Sequence, residues 1–194
     1  MDWLTSIISS LLRLVGIIEQ NNTDAVRLPE PVLSLSPTAS INQEGFNLIT
    51  SFEGCKLNSY QDQRGIWTIG YGHTDPTIAS GQSINQATAF LLLKKDLAFF
   101  ELGVRKAVTT NINGNQFSAL VSFAYNAGLG SLKASTLLAK LNGGDFQGAS
   151  EQFLDWDHIR VKGVLEVDPG LLRRRTAEQT LFLAPGNGTA IKWA

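Results

Sequence analysis

The chain has 194 residues, of which 43% are hydrophobic and 17% charged, so it can bury a core and is not an intrinsically disordered protein. Its formal net charge of −1 argues against a dedicated nucleic-acid-binding protein, which would usually be clearly basic. Cys55 is the only cysteine, which excludes an intramolecular disulfide, and we interpret it as a structural or incidental thiol.

Residues 3–18 are strongly apolar, and their polar positions recur every three to four residues, which predicts a helix within residues 1–20. At the helical rise they reach about 24 Å, less than the ~30 Å hydrocarbon core of a membrane, and Arg13 lies among them. Asp2 stands where a secretory signal would carry a basic residue. Three interpretations remain: docking on another protein, lying on a membrane surface, or weak and releasable membrane anchoring.

Residues 21–39 predict a linker, because they hold three of the six prolines among polar residues. The folded domain is expected over residues 40–185, followed by a short tail at 186–194. No internal repeat of the length typical of solenoid proteins is present.

A capping box, Ser40-x-x-Gln43, starts the first predicted helix of the domain, which should end at Gly54. Glu53 then lies in the last helical turn, where the negative end of the helix dipole favours a protonated carboxyl group. A carboxyl group that keeps its proton is suited to act as a general acid.

Two short strands are predicted next, at 57–60 and 66–71, joined by a polar turn that contains Asp62. Thr68 lies in the second of these strands. A helix end followed directly by a hairpin can bring Glu53, Asp62 and Thr68 to one cleft. Two carboxylates and a hydroxyl group facing one cleft are the parts that a glycoside hydrolase needs.

A second capping box, Ser83-x-x-Gln86, predicts a long helix over 84–106, long enough to join two lobes. Helical spacing also predicts which apolar side chains face inward from this helix. These are Ala87, Phe90, Leu91, Leu97 and Leu102.

The rest of the chain is predicted to be helical and divided by glycines. Helices are expected at 115–127, at 134–142, after Asp145 and after Asp168. Residues 157–168 alternate weakly between apolar and polar, and predict either an extended loop or a small hairpin.

Four segments carry a resemblance to a known family: FEGCKLxxYxDxxGxWTIGYGHT at 52–74, QFSALVSFAYNAG at 116–128, STLLAKLNGGDF at 135–146 and GLLRRRxAE at 170–178. From about Ile41 to Leu183, the chain resembles the phage-type lysozymes, the muramidase family of bacteriophage endolysins, and most closely their lambdoid branch. Residues 1–40 lie outside the resemblance.

The resemblance implies an α+β, mainly helical fold. This is a lysozyme-like, two-lobed domain with a small β-hairpin lobe, a long connecting helix and a helical C-terminal lobe. It also implies hydrolysis of the β-1,4 bond between N-acetylmuramic acid and N-acetylglucosamine in peptidoglycan, with inversion at the anomeric carbon.

The family's catalytic Glu, Asp and Thr fall on Glu53, Asp62 and Thr68, with their spacing intact. In the roles that the resemblance implies, Glu53 protonates the leaving glycosidic oxygen and Asp62 activates a water molecule on the opposite face. Thr68 positions that water by a hydrogen bond.

Several other residues are candidates for supporting roles. Tyr71 could stack on a sugar ring, and the resemblance places Thr136 and Gln152 near positions that contact the substrate. His73 is expected to fix the hairpin to the helix by a hydrogen bond. The run 173–175, three arginines, is interpreted mainly as a salt-bridging scaffold.

Peptidoglycan glycan strands are the expected partner. We expect no cofactor, metal or nucleic acid, since the sequence holds no metal-ligand cluster and no phosphate-binding loop. Such an enzyme would be made in the bacterial cytoplasm and act on the cell wall in the periplasm, with residues 1–20 as a candidate attachment to a membrane or a particle.

Two alternative functions are compatible with the same motifs: a non-catalytic wall-binding module of a larger assembly, and a chitinase or transglycosylase. The complete set of Glu53, Asp62 and Thr68 favours an enzyme over a binding module. Transglycosylases need no base to activate water, so Asp62 favours hydrolysis.

Overall fold

The computed structural model describes residues 40–62 and 64–186. The predicted helix within residues 1–20, the predicted linker at 21–39 and all but the first residue of the predicted tail lie outside these ranges. The described residues form a mainly helical α+β domain with two small antiparallel sheets, which confirms the predicted fold class.

The first helix, α1 (Gln43–Glu53), ends at Gly54. The φ angle of Gly54 is 64°, a conformation that is open to glycine without a steric cost. Glu53 is therefore the last helical residue, as the sequence predicts, and the chain turns directly into the first strand.

A three-stranded antiparallel sheet follows α1 and consists of β1 (Lys56–Gln61), β2 (Trp67–Gly70) and β3 (His73–Thr74) in that order. The first two strands confirm the predicted hairpin. The third was not predicted, because it is only two residues long and depends on a sharp turn at Gly72, whose φ is 90°.

Six further α-helices and a 3₁₀ turn follow in the described part of the chain, and one of these helices is buried at the centre of the domain. They are α2 (Gln86–Ala107), α3 (Gly114–Ala127), α4 (Leu129–Ala134), α5 (Thr136–Asn142), α6 (Phe146–Glu151), a 3₁₀ turn (Leu154–Trp156) and α7 (Pro169–Leu183). Helix α3 is the centre of the domain: its residues Phe117, Leu120 and Val121 are fully buried, and it packs against α1, α2 and α7. Asp145 and Asp168 cap α6 and α7 as predicted.

Both predicted capping boxes are wrong, because an asparagine caps each helix instead. Asn42 caps α1 and Asn85 caps α2, each accepting a hydrogen bond from the backbone N–H three residues further on. The two serines bind elsewhere: Ser40 donates to Glu101 at 2.9 Å, and Ser83 donates to an asparagine of β1 at 2.6 Å.

The predicted inner face of α2 is also wrong, apart from Leu97. The buried positions recur every three or four residues along a different stripe, which includes Ala89, Leu93, Leu97 and Val104. Leu91, expected inside, is 67% exposed. The helix is apolar on more than one side, and its packing against α3 and the sheet selects which side is covered.

Of the two forms predicted for residues 157–168, the structure shows the small hairpin. It consists of β4 (His158–Val161) and β5 (Val164–Val167), and it turns through Lys162 and Gly163, both at positive φ.

None of the described helices combines the length and hydropathy needed to cross a bilayer.

Candidate active site

Glu53 forms an ion pair with a residue far along the chain. Its Oε1 accepts a hydrogen bond from Arg174 Nη1 at 2.6 Å, across 121 positions of sequence. Arg174 lies on α7 and is 4% exposed. The sequence predicts only the effect of the α1 dipole on the Glu53 carboxyl group. The structure places a buried guanidinium group, that of Arg174, beside the same carboxyl group.

Arg174 was not predicted as a partner of Glu53. The available signal was the spacing of Arg174 and Glu178, four residues apart on one predicted helix, which marks a buried ion pair when that face turns inward. Which of the three consecutive arginines would face the cleft depended on how α7 packs.

Asp62 lies in the turn after β1, and both of its carboxylate oxygens accept hydrogen bonds. Oδ1 accepts from the backbone N–H groups of Arg64 and Ile66, each at 2.8 Å, and Oδ2 accepts from the Arg64 guanidinium group at 3.1 Å. These bonds, led by the one from Ile66, hold the pKa of Asp62 below its ordinary value. Asp62 therefore stays ionised well into the acid range, as a general base requires.

Thr68 shares a hydrogen-bonded turn with Asp62. Its Oγ1 donates to the carbonyl oxygen of Ile66 at 3.0 Å, while the N–H of Ile66 donates to Asp62. Thr68 is 3% exposed on β2, where it pairs with Thr74 of β3. Asp62 and Thr68, which the sequence predicts on this hairpin, therefore both bind the backbone of Ile66.

A cavity of about 490 Å³ opens beside Glu53, between the sheet and helices α2 and α3. Its wall includes Glu53, Thr74, Asp96 and Phe99. A second cavity, of about 290 Å³, lies against the hairpin and shares Thr74 with the first. The second cavity is also lined by Ile66, whose N–H donates to Asp62, while Asp62 and Thr68 themselves line neither cavity.

Tyr60 on β1 lies close enough to Glu53 and Asp62 to interact with both charges. Its pKa is raised first by burial, and then by the negative charges of Asp62 and Glu53. A single phenol can respond to both charges only if it lies near both groups, because the interaction weakens with distance.

His73 joins the sheet to the long helix. Its Nδ1 lies 2.8 and 2.9 Å from the two carboxylate oxygens of Asp96 on α2. This confirms the predicted structural role of His73. Asp96 also lines the cavity beside Glu53, so the pair fixes one wall of that cavity.

The three candidate substrate contacts lie in different surroundings. Tyr71 borders the cavity but is 7% exposed, and its ring stacks on Phe90 with 5.6 Å between centroids, which leaves little of its face for a sugar. Thr136 is exposed at the start of α5, and Gln152 is half-buried at the end of α6. Neither Thr136 nor Gln152 lines the two cavities, and their contacts with substrate stay a prediction.

A buried ionic network holds Arg174 in place. Glu178 is fully buried on α7, and its Oε1 accepts hydrogen bonds from Ser122 Oγ at 2.8 Å and Arg174 Nε at 3.2 Å. Its Oε2 accepts from Arg175 Nη1. The predicted salt-bridging scaffold is confirmed for Arg174 and Arg175, whereas Arg173 is exposed.

Among the described residues, no group of three or more His, Cys, Asp and Glu side chains is arranged to hold a metal ion.

The chain matches the phage lysozyme family model over residues 50–178. It is 45% identical over 146 residues to the endolysin of Bacillus phage B103, an alignment that covers 74% of this chain and 54% of that protein. It is 39% identical over 142 residues to the endolysin of Acyrthosiphon pisum secondary endosymbiont phage 1, covering 73% of this chain and 97% of that protein.

A solved structure shares the fold. The muramidase domain of SpmX from Asticaccaulis excentricus superposes with a TM-score of 0.72 at 36% sequence identity. The superposition covers 75% of this chain and 99% of that domain. The described domain is thus similar over nearly the whole length of a muramidase domain, although the chain spans only about half of the phage B103 endolysin.

Proposed function

The chain belongs to the phage lysozyme family, and we propose that it hydrolyses the β-1,4 bond between N-acetylmuramic acid and N-acetylglucosamine in bacterial peptidoglycan. It is a glycoside hydrolase of the cell-wall-degrading kind, which its endolysin and muramidase relatives support. The observation that carries the proposal is the placement of Glu53 on the wall of a cavity that borders the sheet, with Asp62 hydrogen-bonded into the turn between β1 and β2 of that sheet.

Glu53 acts as the general acid and gives its proton to the leaving glycosidic oxygen. Arg174, which hydrogen-bonds the Glu53 carboxyl group, orients that group. The proton must be on Glu53 when the glycan is bound, because the leaving oxygen needs it as the bond breaks.

Asp62 acts as the general base and removes a proton from the water that attacks the anomeric carbon. Its lowered pKa and its fixed hydrogen bonds to the turn suit it to this role. Thr68 positions the same water. Attack from the face opposite to the leaving oxygen inverts the configuration at the anomeric carbon.

The products formed from purified peptidoglycan are expected to carry ordinary reducing N-acetylmuramic acid ends, because water is the nucleophile. Mass spectrometry of the digest should show each new end heavier by one water than a 1,6-anhydro end. Magnetic resonance during the reaction should show the α anomer first, as inversion requires. A digest dominated by 1,6-anhydro ends would identify a transglycosylase instead, and the β anomer would identify retention.

We propose that residues 1–20 attach the enzyme to a membrane or to a protein partner, and that residues 21–39 act as a tether. The pattern that supports this is the apolar sequence at 3–18 with a narrow polar stripe, followed by prolines among polar residues. The described domain has a hydrophobic core of its own, built around α3, and the candidate catalytic residues Glu53, Asp62 and Thr68 all belong to this domain.

Deleting residues 1–39 is expected to leave the hydrolysis of purified wall fragments within about twofold of the full-length chain. The same deletion should abolish co-sedimentation with membrane vesicles or with the partner particle. The full-length chain is the control in both measurements. Loss of activity in a variant that still melts cooperatively would contradict the proposal, as would unchanged co-sedimentation in every preparation that binds the full-length chain.

A further inference from the structure

Helix α2 exposes an aromatic side chain at the mouth of the cavity beside Glu53. Phe99 is 67% exposed, although Phe is among the residues most often buried. Single exposed apolar residues are normal on protein surfaces, so the exposure alone indicates nothing. Phe99, however, lines the same cavity as Glu53, which places an accessible aromatic ring in the proposed substrate cleft.

The ring of Phe99 is held by other aromatic residues. It meets Phe100 edge to face, with 5.3 Å between centroids and 86° between planes. Phe100 in turn meets Tyr125 at 5.1 Å and 70°. Tyr125 Oη donates a hydrogen bond to the carbonyl oxygen of Tyr71 at 3.0 Å. This chain of contacts runs from the exposed ring to the core, so a ligand that stacks on Phe99 meets a supported surface.

Polar groups stand around the exposed ring. The same cavity is lined by Thr74, Lys95 and Asp96 as well as by Glu53. Lys95 lies one helical turn before Phe99 on α2, and therefore on the same face. An apolar surface with a few polar groups next to it suits a sugar ring, which has a face of C–H groups and a rim of hydroxyl and acetamido groups.

We propose that Phe99 is a substrate-positioning residue whose ring stacks on the C–H face of a sugar unit of the glycan strand, next to the unit whose linkage Glu53 protonates. This inference rests on the proposed function of the cleft. Thr74 and Lys95 hydrogen-bond the hydroxyl or acetamido groups at the rim of the same sugar. Phe99 contributes to binding and orientation and takes no part in proton transfer.

The test compares Phe99→Ala with Leu91→Ala on soluble, defined peptidoglycan glycan fragments. Leu91 is a matched control, because it lies on the same helix with the same 67% exposure and does not line the cavity. Phe99→Ala is expected to raise KM roughly 2- to 12-fold with kcat little changed, the range of an aromatic stacking contact. Leu91→Ala should leave both constants unchanged, and Phe99→Trp should restore KM towards that of the wild type.

A second measurement separates this inference from the proposed function. Binding of the glycan fragments is measured in the Glu53→Gln background, with and without Phe99→Ala, so that it does not depend on turnover. Weaker binding by the same factor supports the stacking role. Equal binding overturns it, as does an equal loss in Phe99→Ala and Leu91→Ala, whereas a wild type that binds the fragments without cleaving them overturns the proposed function alone.

Discussion

Replacing Glu53 with glutamine is expected to lower the rate of peptidoglycan hydrolysis by roughly 10²- to 10⁴-fold, because the leaving oxygen loses its proton donor. Glutamine keeps the shape of the side chain and can still accept the hydrogen bond from Arg174, so the cavity beside α1 should keep its form. The measurement is the clearing of a suspension of purified cell walls, followed over time at several enzyme concentrations.

Glu44→Gln is the matched control for this experiment, since Glu44 lies on the same helix and is exposed in its first turn. It should clear walls at the wild-type rate. Thermal melts of both variants show whether the fold is kept. If Glu53→Gln clears walls as fast as the wild type, Glu53 is not the general acid. If Glu53→Gln is inactive but its melt shows that it is unfolded, the loss of activity is due to loss of the fold.

Replacing Glu178 with glutamine is expected to lower the free energy of unfolding by about 3–5 kcal/mol, because it removes the carboxylate partner of the buried Arg175 and leaves the buried Arg174 with Glu53 alone. Glu178 is fully buried and binds both Arg174 and Arg175, which are themselves 4% and 1% exposed. For a chain of this size the expected fall in Tm is roughly 6–20 °C. Calorimetry or circular dichroism measures it directly.

The exposed residue Glu166 on β5 offers a control of the same chemistry. Glu166→Gln should change Tm by no more than a degree or two, since exposed charges contribute little to stability. A Glu178→Gln variant as stable as the wild type would contradict the buried network. At temperatures where the variant is folded, we also expect reduced activity, because Glu178 holds the guanidinium group that orients Glu53.

Glu53 and Glu178 are linked through Arg174. Its guanidinium group contacts both the carboxyl group of Glu53 beside the cavity and the buried carboxyl group of Glu178. A loss of stability at Glu178 and a loss of turnover at Glu53 are therefore expected to couple. Combining both substitutions should lower activity by less than the product of the two single effects.

The sequence by itself determined the local placement of Glu53, Asp62 and Thr68, because that placement depends only on residues nearby in the chain. Glu53 ends a helix because Gly54 follows it, and Asp62 and Thr68 share a turn because a short hairpin separates them by six positions. Turn chemistry and strand alternation act over a few residues, so a pattern of a few residues is sufficient to predict them.

Only the tertiary structure decided what those groups meet. Arg174 reaches Glu53 from 121 positions away, and Phe99 lines the cavity because α2 packs with a different stripe inward than its apolar residues suggested. Asn42 rather than Ser40 caps α1, while Ser40 binds Glu101 on α2. A helix with apolar residues on several sides has several faces that it could bury. Its partner selects one of them, and that partner is set by the packing of the whole domain rather than by the local sequence.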